Sequence, residues 1–158
     1  MAPKAGFWSI GGYEISFRVD GRWYADEEPV ENAKIALLFS RHVQPDGTGE
    51  GWVIDLGIDR QSVTIEDTAL VVTAVRGTAR DGFDVTTNDG ETSALDCSTL
   101  VTGDDNVLYC RVDRGARGSI RARFLRAPYY DLARWVEAGE MGPVIPSRGT
   151  RHVISSGD

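Results

Sequence analysis

An arginine-rich stretch in the last third of the chain has the residue types and the spacing best suited to binding chemistry. It contains six arginines and one acid, Asp113, although the whole chain has a net charge of −7. Clustered guanidinium groups suit a phosphate or a carboxylate, because each offers several N–H donors in one plane. The stretch is therefore a candidate site for an anionic small molecule or an acidic protein partner. Its arginines are Arg111, Arg114, Arg117, Arg121, Arg123 and Arg126.

Strand-like segments on both sides of residues 113–118 predict a β-hairpin that would position these arginines. Alternate residues of a strand share a face, so Arg121 and Arg123 would lie together, with Arg114 and Arg117 at the turn. We predict that Arg114 and Arg117 are unpaired and exposed around a concavity, and that Arg121 or Arg123 contributes from the strand. The alternative is a solvated hairpin face whose arginines pair with acids of the first half of the chain.

Glu66 and Asp67 form the second candidate constellation. They interrupt the most strand-like run in the chain, residues 62–76, because the apolar residues before and after them differ in parity. Adjacent carboxylates could serve a hydrolase-type enzyme as acid and base if a bend turned both toward one site. The alternative is a structural corner, in which a carboxylate accepts backbone N–H groups. We predict the structural corner and no catalytic residues.

The sequence lacks the residue patterns that are typical of metal sites and of catalytic nucleophiles. No nucleophile elbow, phosphate-binding loop or zinc-protease motif is present. The histidines, His42 and His152, are far in sequence from the two cysteines, Cys97 and Cys110, whose spacing matches no zinc pattern. We expect no metal and no other cofactor. The cysteines are predicted to be reduced thiols on neighbouring strands, and a cross-strand disulfide is the alternative.

The elements that must carry these residues follow from turn signals and apolar spacing. Asp20-Gly21 and residues 88–90 are hairpin turns, and apolar residues at helical spacing predict helices at 30–42 and 129–138. The fold class expected is α+β, with mostly antiparallel sheets and two main helices. The predicted units are an N-terminal arm at 1–12, a first sheet-plus-helix subdomain at 13–76 and a second at 77–158.

Composition limits the partners. No apolar run approaches the ~18 residues that cross a bilayer, and residues 1–12 lack the apolar core of a signal peptide. We therefore expect a cytoplasmic protein without a membrane partner. The net charge of −7 opposes nucleic-acid binding. A homodimer through an edge strand is a further option.

Three segments, DGRWYADEEPVENAKIALLFSRHV, VTIEDTALVV and RARFLRAPYYDLARWVE, resemble in order and spacing the bacterial family called domain of unknown function 1285. The resemblance covers roughly residues 13–138. Ile65-Glu66-Asp67 keeps the core of one family motif, while Thr68-Ala69 replaces a small residue followed by Pro-Phe. A tail similar to GPVIPSRGTRHVI also occurs in the family UPF 0598.

The first resemblance implies an α+β fold with repeated motifs in two tandem subdomains, a role in signalling or ligand sensing, and no catalytic residues. Together with the arginine stretch, it leads us to expect a small regulatory or ligand-binding module. The alternatives are a hydrolase-type enzyme that uses Glu66 or Asp67 and a purely structural homo-oligomeric interaction protein.

Overall fold

The computed structural model describes residues 12–157. Residues 1–11 of the predicted arm and Asp158 lie outside the described residues. Within 12–157 the chain forms two α-helices and sixteen short strands, so the predicted α+β class is confirmed. The helices are α1 (Ala33–His42) and α2 (Arg126–Ala133). Single-turn 3₁₀ helices lie at Cys97–Thr99, Asp104–Asn106 and Gly115–Arg117. The strands are β1 (Ile15–Phe17), β2 (Trp23–Ala25), β3 (Glu28–Pro29), β4 (Val43–Pro45), β5 (Trp52–Asp55), β6 (Arg60–Ile65), β7 (Leu70–Thr78), β8 (Gly82–Thr87), β9 (Thr92–Ala94), β10 (Val101–Thr102), β11 (Leu108–Asp113), β12 (Ser119–Phe124), β13 (Glu137–Gly139), β14 (Gly142–Ser147), β15 (Thr150–Val153) and β16 (Ser155–Ser156).

The first sheet has six strands in the order β3-β2-β1-β6-β5-β4. β1 and β2 form the predicted antiparallel hairpin around Asp20-Gly21, and β1 also pairs in parallel with β6. Gly21 has φ 80°, and a Cβ there would lie 3.1 Å from the Val71 side chain. Glycine therefore serves both the turn and a close approach to the second sheet.

The second sheet has seven strands in the order β16-β10-β11-β12-β7-β8-β9. β7 lies in its interior, parallel with β12 and antiparallel with β8. This position explains why Leu70, Val71 and Val72 are all buried, whichever face they occupy. The two larger sheets divide at residues 66–69, whereas the sequence pattern put the subdomain boundary after Arg76. The tandem subdomains themselves stay a prediction.

A corner separates the two sheets, as the change of parity predicted. β6 ends at Ile65, β7 begins at Leu70, and the residues between them belong to neither strand. Beyond the corner, the β7–β8 pairing shifts register between Val72 and Ala74. The strand-like run is thus interrupted twice, and the carboxylates Glu66 and Asp67 occupy the first interruption.

Both predicted helices exist, but with different boundaries. α1 begins at Ala33, and its N-cap Asn32 accepts the N–H groups of Lys34 and Ile35. The predicted start at residue 30 is wrong because Pro29 belongs to β3. α2 begins at Arg126, earlier than the predicted start at residue 129, and has Pro128 in its first turn, where a missing N–H costs no helical bond. It also ends before the predicted residue 138, since residues 137–139 pair with β14 as β13.

One hydrophobic core joins the two larger sheets. Its aromatic centre packs Trp23 against Phe17 and Phe39, with ring centroids 4.7 and 5.6 Å apart. The Trp23 indole N–H donates to Ser40 Oγ at 2.9 Å, which satisfies its only polar atom. β14 and β15 form a hairpin in a three-stranded sheet with β13. Buried residues of β11, β12, α2 and the start of β7 belong to the same hydrophobic core, which positions the arginine hairpin and α2 relative to the corner.

Candidate functional site

The predicted arginine hairpin is present as β11 and β12, which pair antiparallel. Arg111 lies opposite Arg121, and Tyr109 lies opposite Arg123, on the face away from the buried residues Cys110 and Ala122. Arg114 and Arg117 instead lie at the turn. The hairpin therefore divides its arginines into an outer face and a turn group, and the two groups have different surroundings.

The turn group is paired and largely shielded from solvent, so the prediction that Arg114 and Arg117 are exposed and unpaired is wrong. Arg114 is 9% exposed, and its Nε donates to Asp89 Oδ2 at 2.8 Å. Arg117 Nη2 donates to the same oxygen at 3.0 Å. Arg117 Nη1 also donates to the backbone carbonyls of Ser40 and Val43 at the end of α1. The turn packs against α1 and the β8–β9 turn, which supply these acceptors.

Asp89 is the buried acid of this group, and it has no solvent exposure. Glu91, a more exposed acid, has its Oε2 3.7 and 3.8 Å from the same two arginines. Burial alone would raise the pKa of Asp89, but hydrogen bonds from Arg114 and Thr87 outweigh it and lower the pKa below its usual range. The sequence marks Asp89 only as the second residue of an Asn-Asp-Gly turn. Its pairing partners lie in a distant hairpin, so no local pattern reveals its role as a counter-ion.

On the outer face, Asp67 brings two of the predicted arginines together. Arg123 Nη1 and the Tyr109 hydroxyl both donate to Asp67 Oδ2 at 2.8 Å. The Arg121 guanidinium lies 3.7 Å from the centroid of the Tyr109 ring. Burial and the Asp67 carboxylate raise the pKa of Tyr109, so its hydroxyl remains a donor. Asp67, Arg121 and Arg123 therefore belong to one cluster, and Arg114 and Arg117 do not.

Glu66 faces a different part of the molecule from Asp67. Its Oε1 accepts the backbone N–H of Val19 at 2.8 Å, and its own N–H donates to the carbonyl of Phe17. The prediction that at least one carboxylate accepts a backbone N–H is confirmed by Glu66. The partners of Asp67 are side chains instead. The two carboxylates therefore hold the corner to different neighbours rather than converging on one site.

A cleft of about 460 Å³ opens beside Arg123, between the start of α2 and the 3₁₀ turn before β11. We call it the basic cleft. Arg126, which lines the same cleft, forms no ion pair with any carboxylate in residues 12–157. Its guanidinium lies 6.0 Å from the Tyr130 ring centroid. The side chains that define the basic cleft are Asp105, Asn106, Arg123, Arg126, Tyr129 and Tyr130.

A second cleft of about 450 Å³ adjoins the basic cleft and shares Asn106, Leu108 and Tyr129 with it. We call it the apolar cleft, because hydrophobic side chains of α2, β14 and the end of the chain line most of its wall. Its remaining side chains are Thr102, Ala133, Val136, Pro143, Ile154 and Ser156. The apolar spacing that predicts a helix at 129–138 gives no sign of an open cleft beside that helix.

The turn that borders both clefts has unusual backbone geometry. Asp105 and Asn106 have φ of 57° and 61°, in the left-handed region. Asp and Asn tolerate this region better than other residues with a side chain, because their short polar groups bond locally. The turn follows β10 directly, and its geometry has no sequence signature beyond the residue types.

Comparison with known proteins identifies the fold. Neither a family model nor a curated protein matches the sequence. A DUF1285 family protein from Silicibacter pomeroyi is similar in structure, with a TM-score of 0.71 and 16% identity over 90% of this chain and 79% of that chain. Another, from Shewanella baltica, has a TM-score of 0.60 and 21% identity over 78% of this chain and 92% of that chain. The chain has the DUF1285 fold. The family resemblance in the sequence is thus confirmed for the fold, and the likeness to UPF 0598 stays a prediction.

Within this DUF1285 fold, the cysteines lie apart from both clefts. Cys110 is on β11 and Cys97 opens a 3₁₀ turn, so the prediction that both are on strands is wrong for Cys97. Both thiols are free and buried, and burial raises the pKa of Cys110 to about 12. His42 Nδ1 lies 2.9 Å from the carbonyl of Leu38 in the last turn of α1.

Residues 12–157 of the DUF1285 fold contain neither a metal site nor a membrane-spanning helix. No group of three or more His, Cys, Asp or Glu side chains is placed to hold a metal ion there. Neither α1 nor α2 is long and apolar enough to cross a membrane. The arrangement of charges and hydrogen-bond donors in the basic cleft is therefore the feature from which a function can be argued.

Proposed function

We propose that this chain is a ligand-binding module that takes an anionic small molecule in the basic cleft. The observation that carries the proposal is the guanidinium of Arg126, which lines the cleft without a carboxylate partner in residues 12–157. Arg123 lines the same cleft and uses only Nη1 for Asp67. Because a guanidinium has five N–H donors, Arg123 keeps donors for a second acceptor.

Hydrogen-bond donors of a different kind support the same ligand class. The hydroxyls of Tyr129 and Tyr130 make no hydrogen bond within the described residues. Two phenolic donors beside two guanidinium groups match the acceptor-rich surface of a carboxylate or a phosphate. The volume of about 460 Å³ also lies in the range of small-molecule sites.

Two carboxylates near the arginines determine the net charge of the basic cleft and so the charge of the ligand that it can bind. Asp67 balances Arg123, and Asp105 lies exposed at the rim. The formal charges of Arg123, Arg126, Asp67 and Asp105 therefore sum to zero, which favours a singly charged carboxylate or phosphate ester, held by the unpaired Arg126, over a polyphosphate. In this proposal Arg121 supports Arg123 through Tyr109 and Asp67.

The turn arginines Arg114 and Arg117 stabilise the hairpin turn through Asp89 and do not contact the ligand. The cleft offers charge and donors for binding, so we assign a regulatory or sensing role rather than catalysis by Glu66 or Asp67. When the anion binds to this module, the module would signal the presence of the anion to a partner or a downstream response.

Thermal melting at low ionic strength tests the proposal with sodium acetate and inorganic phosphate as probes. We expect the Tm of the wild type to rise with either anion, because a ligand that binds only the folded state stabilises it. The rise should fade as sodium chloride is added, since the guanidinium groups are accessible to screening ions.

Two variants make the test specific. Arg126→Gln should remove most of the anion-dependent rise in Tm, while Arg134→Gln should retain it. Arg134 is an exposed arginine that follows the same helix and lines neither cleft. Equal responses from both variants would show a general salt effect, and the proposal would then be wrong.

A further inference from the structure

The apolar cleft and the basic cleft meet at Tyr129, and this junction narrows the class of ligand. We propose that the anion carries an aliphatic chain: an alkanoate or an alkyl phosphate whose head lies by Arg126 and whose chain lies in the apolar cleft. This inference rests on the proposed function, because it uses the same basic cleft for the head group.

α2 supplies one continuous wall for such a ligand. Arg126, Tyr129 and Ala133 are spaced at i, i+3 and i+7, so they lie on one face of the helix. Arg126 lines only the basic cleft, Tyr129 lines both, and Ala133 lines only the apolar cleft. The wall therefore changes from cationic to aromatic to aliphatic along a single direction.

The wall opposite α2 also changes from cationic to aliphatic side chains in the same direction. Arg123 lines the basic cleft, Leu108 lines both clefts, and Ile154 lines only the apolar one. No lysine, arginine, aspartate or glutamate lines the apolar cleft, whose polar side chains are Thr102, Asn106, the Tyr129 hydroxyl and Ser156. A charged or sugar-like group would lose its hydration there without finding an ionic partner.

An aliphatic chain suits this cleft because it has no polar group that must stay hydrated, and the anionic head attached to it complements the charge of Arg126 in the neighbouring basic cleft. Burial of each CH₂ group in apolar surroundings raises affinity about fourfold. The cleft of about 450 Å³ is too small for a folded partner but suits a flexible chain. Among small anions, only one with an apolar tail would occupy both clefts. The polar side chain of Asn106, which lines both clefts, would lie between the head group and the tail of this ligand.

Isothermal titration calorimetry with acetate, butyrate, hexanoate and octanoate, all below micelle-forming concentrations, tests the inference. We expect one site on the wild-type protein and an affinity that rises about fourfold per methylene until the cleft is full. Octanol should bind much more weakly than octanoate, because it lacks the charge that Arg126 recognises. Octyl phosphate against octanoate distinguishes the two possible head groups.

Variants separate this inference from the proposed function. Ala133→Leu narrows the apolar cleft and should flatten the chain-length dependence without changing acetate binding. Val136→Phe, which narrows the apolar cleft from a position just beyond the end of α2, gives the same test if Ala133→Leu does not fold. Arg126→Gln should weaken every member of the series by the same factor.

Three results would overturn the claim in different ways. If acetate and octanoate bind equally and both depend on Arg126, the chain inference is wrong and the proposed function stands. If octanol binds as tightly as octanoate and Arg126→Gln has no effect, the head-group assignment is wrong, and with it the proposed function. If no member of the series binds, both are wrong.

Discussion

Asp89 keeps a full negative charge at a position without solvent exposure, and two arginines make this possible. Arg114 and Arg117 both donate to its Oδ2, and the Thr87 hydroxyl donates to its other oxygen. A buried charge is stable only when its hydrogen-bonding capacity is met. At this site the acid and its partners form one unit, so the loss of any member weakens the charge compensation of the others.

We expect Asp89→Asn to lower the free energy of unfolding by about 3–5 kcal/mol, because it removes the buried counter-ion of two arginines and leaves them only the more exposed Glu91 carboxylate, at 3.7 and 3.8 Å. Urea denaturation followed by tryptophan fluorescence measures the change. Asp84→Asn is the matched control, since Asp84 lies exposed on the adjoining strand β8. A loss at Asp89 no larger than the loss at Asp84 would contradict the structural role of this unit.

The charge of Asp89 should also make the stability of the protein depend on pH in the acid range. The pKa of Asp89 is lower in the folded state than in the unfolded state, so the unfolded state binds more protons as the pH falls. Its contribution to stability is complete above the ordinary carboxyl pKa and is lost as the pH drops through the lower folded value.

Urea midpoints between about pH 5 and about pH 2 should therefore fall more steeply for the wild type than for Asp89→Asn. Asp46 and Asp96 also have lowered pKa values, but they are present in both proteins, so the difference between the curves isolates Asp89. Parallel curves would mean that Asp89 does not titrate with a lowered pKa.

At the scale of secondary-structure elements, the corner between β6 and β7 determines where the two sheets meet. Glu66 ties the corner to the β1–β2 hairpin through the N–H of Val19, and Asp67 ties it to the β11–β12 hairpin. Each carboxylate thus bonds to the hairpin of a different sheet.

The backbone bond of Glu66 can be tested with two substitutions. Glu66→Ala removes the acceptor for Val19 and should cost about 1 kcal/mol, while Glu66→Gln keeps an acceptor oxygen and should cost less. Chemical denaturation of both variants measures the difference. If Glu66→Gln and Glu66→Ala are equally destabilising, the hydrogen bond to Val19 is not the source of the stability that Glu66 contributes.

Local elements were predictable from the sequence because their signals are local. Asp20-Gly21, the turn at 88–90 and the arginine-rich turn each announce a hairpin, and all three are present. The parity change at Glu66-Asp67 also located the corner. The helix starts were less accurate, since Pro29 fits a strand edge as well as the first turn of a helix.

The remainder depends on contacts between residues far apart in sequence. Arg114 pairs with Asp89 and Arg123 with Asp67, and no periodicity connects the members of either pair. The sequence could identify the arginines as a group, but not which of them would be neutralised. The two clefts depend likewise on how α2 lies against β11 and the last strands.

For the whole molecule, Ser40 is the point where the two halves are joined. Its hydroxyl accepts from Trp23 in the first sheet at 2.9 Å and from Asn88 in the second half at 2.7 Å. Its carbonyl accepts from Arg117 at 2.8 Å. With a hydrophobic core common to both sheets, these bonds predict that the halves unfold together.

We expect Ser40→Ala to lower stability by about 1–3 kcal/mol, because Trp23 Nε1 and the Asn88 amide each lose a buried partner. Unfolding should remain a single transition when followed by fluorescence and by far-UV circular dichroism. Transitions that separate in the variant, or already in the wild type, would show that the halves are independently stable.

The pairing of β16 with β10 has a consequence for synthesis on the ribosome. Ser155 and Ser156 form the outer strand of the second sheet, next to Val101 and Thr102, and Ile154 is buried. Translation delivers residues 154–156 long after the strand they must join. The nascent polypeptide therefore waits with that edge uncovered, where a chaperone or another nascent copy can bind it before the native strand arrives.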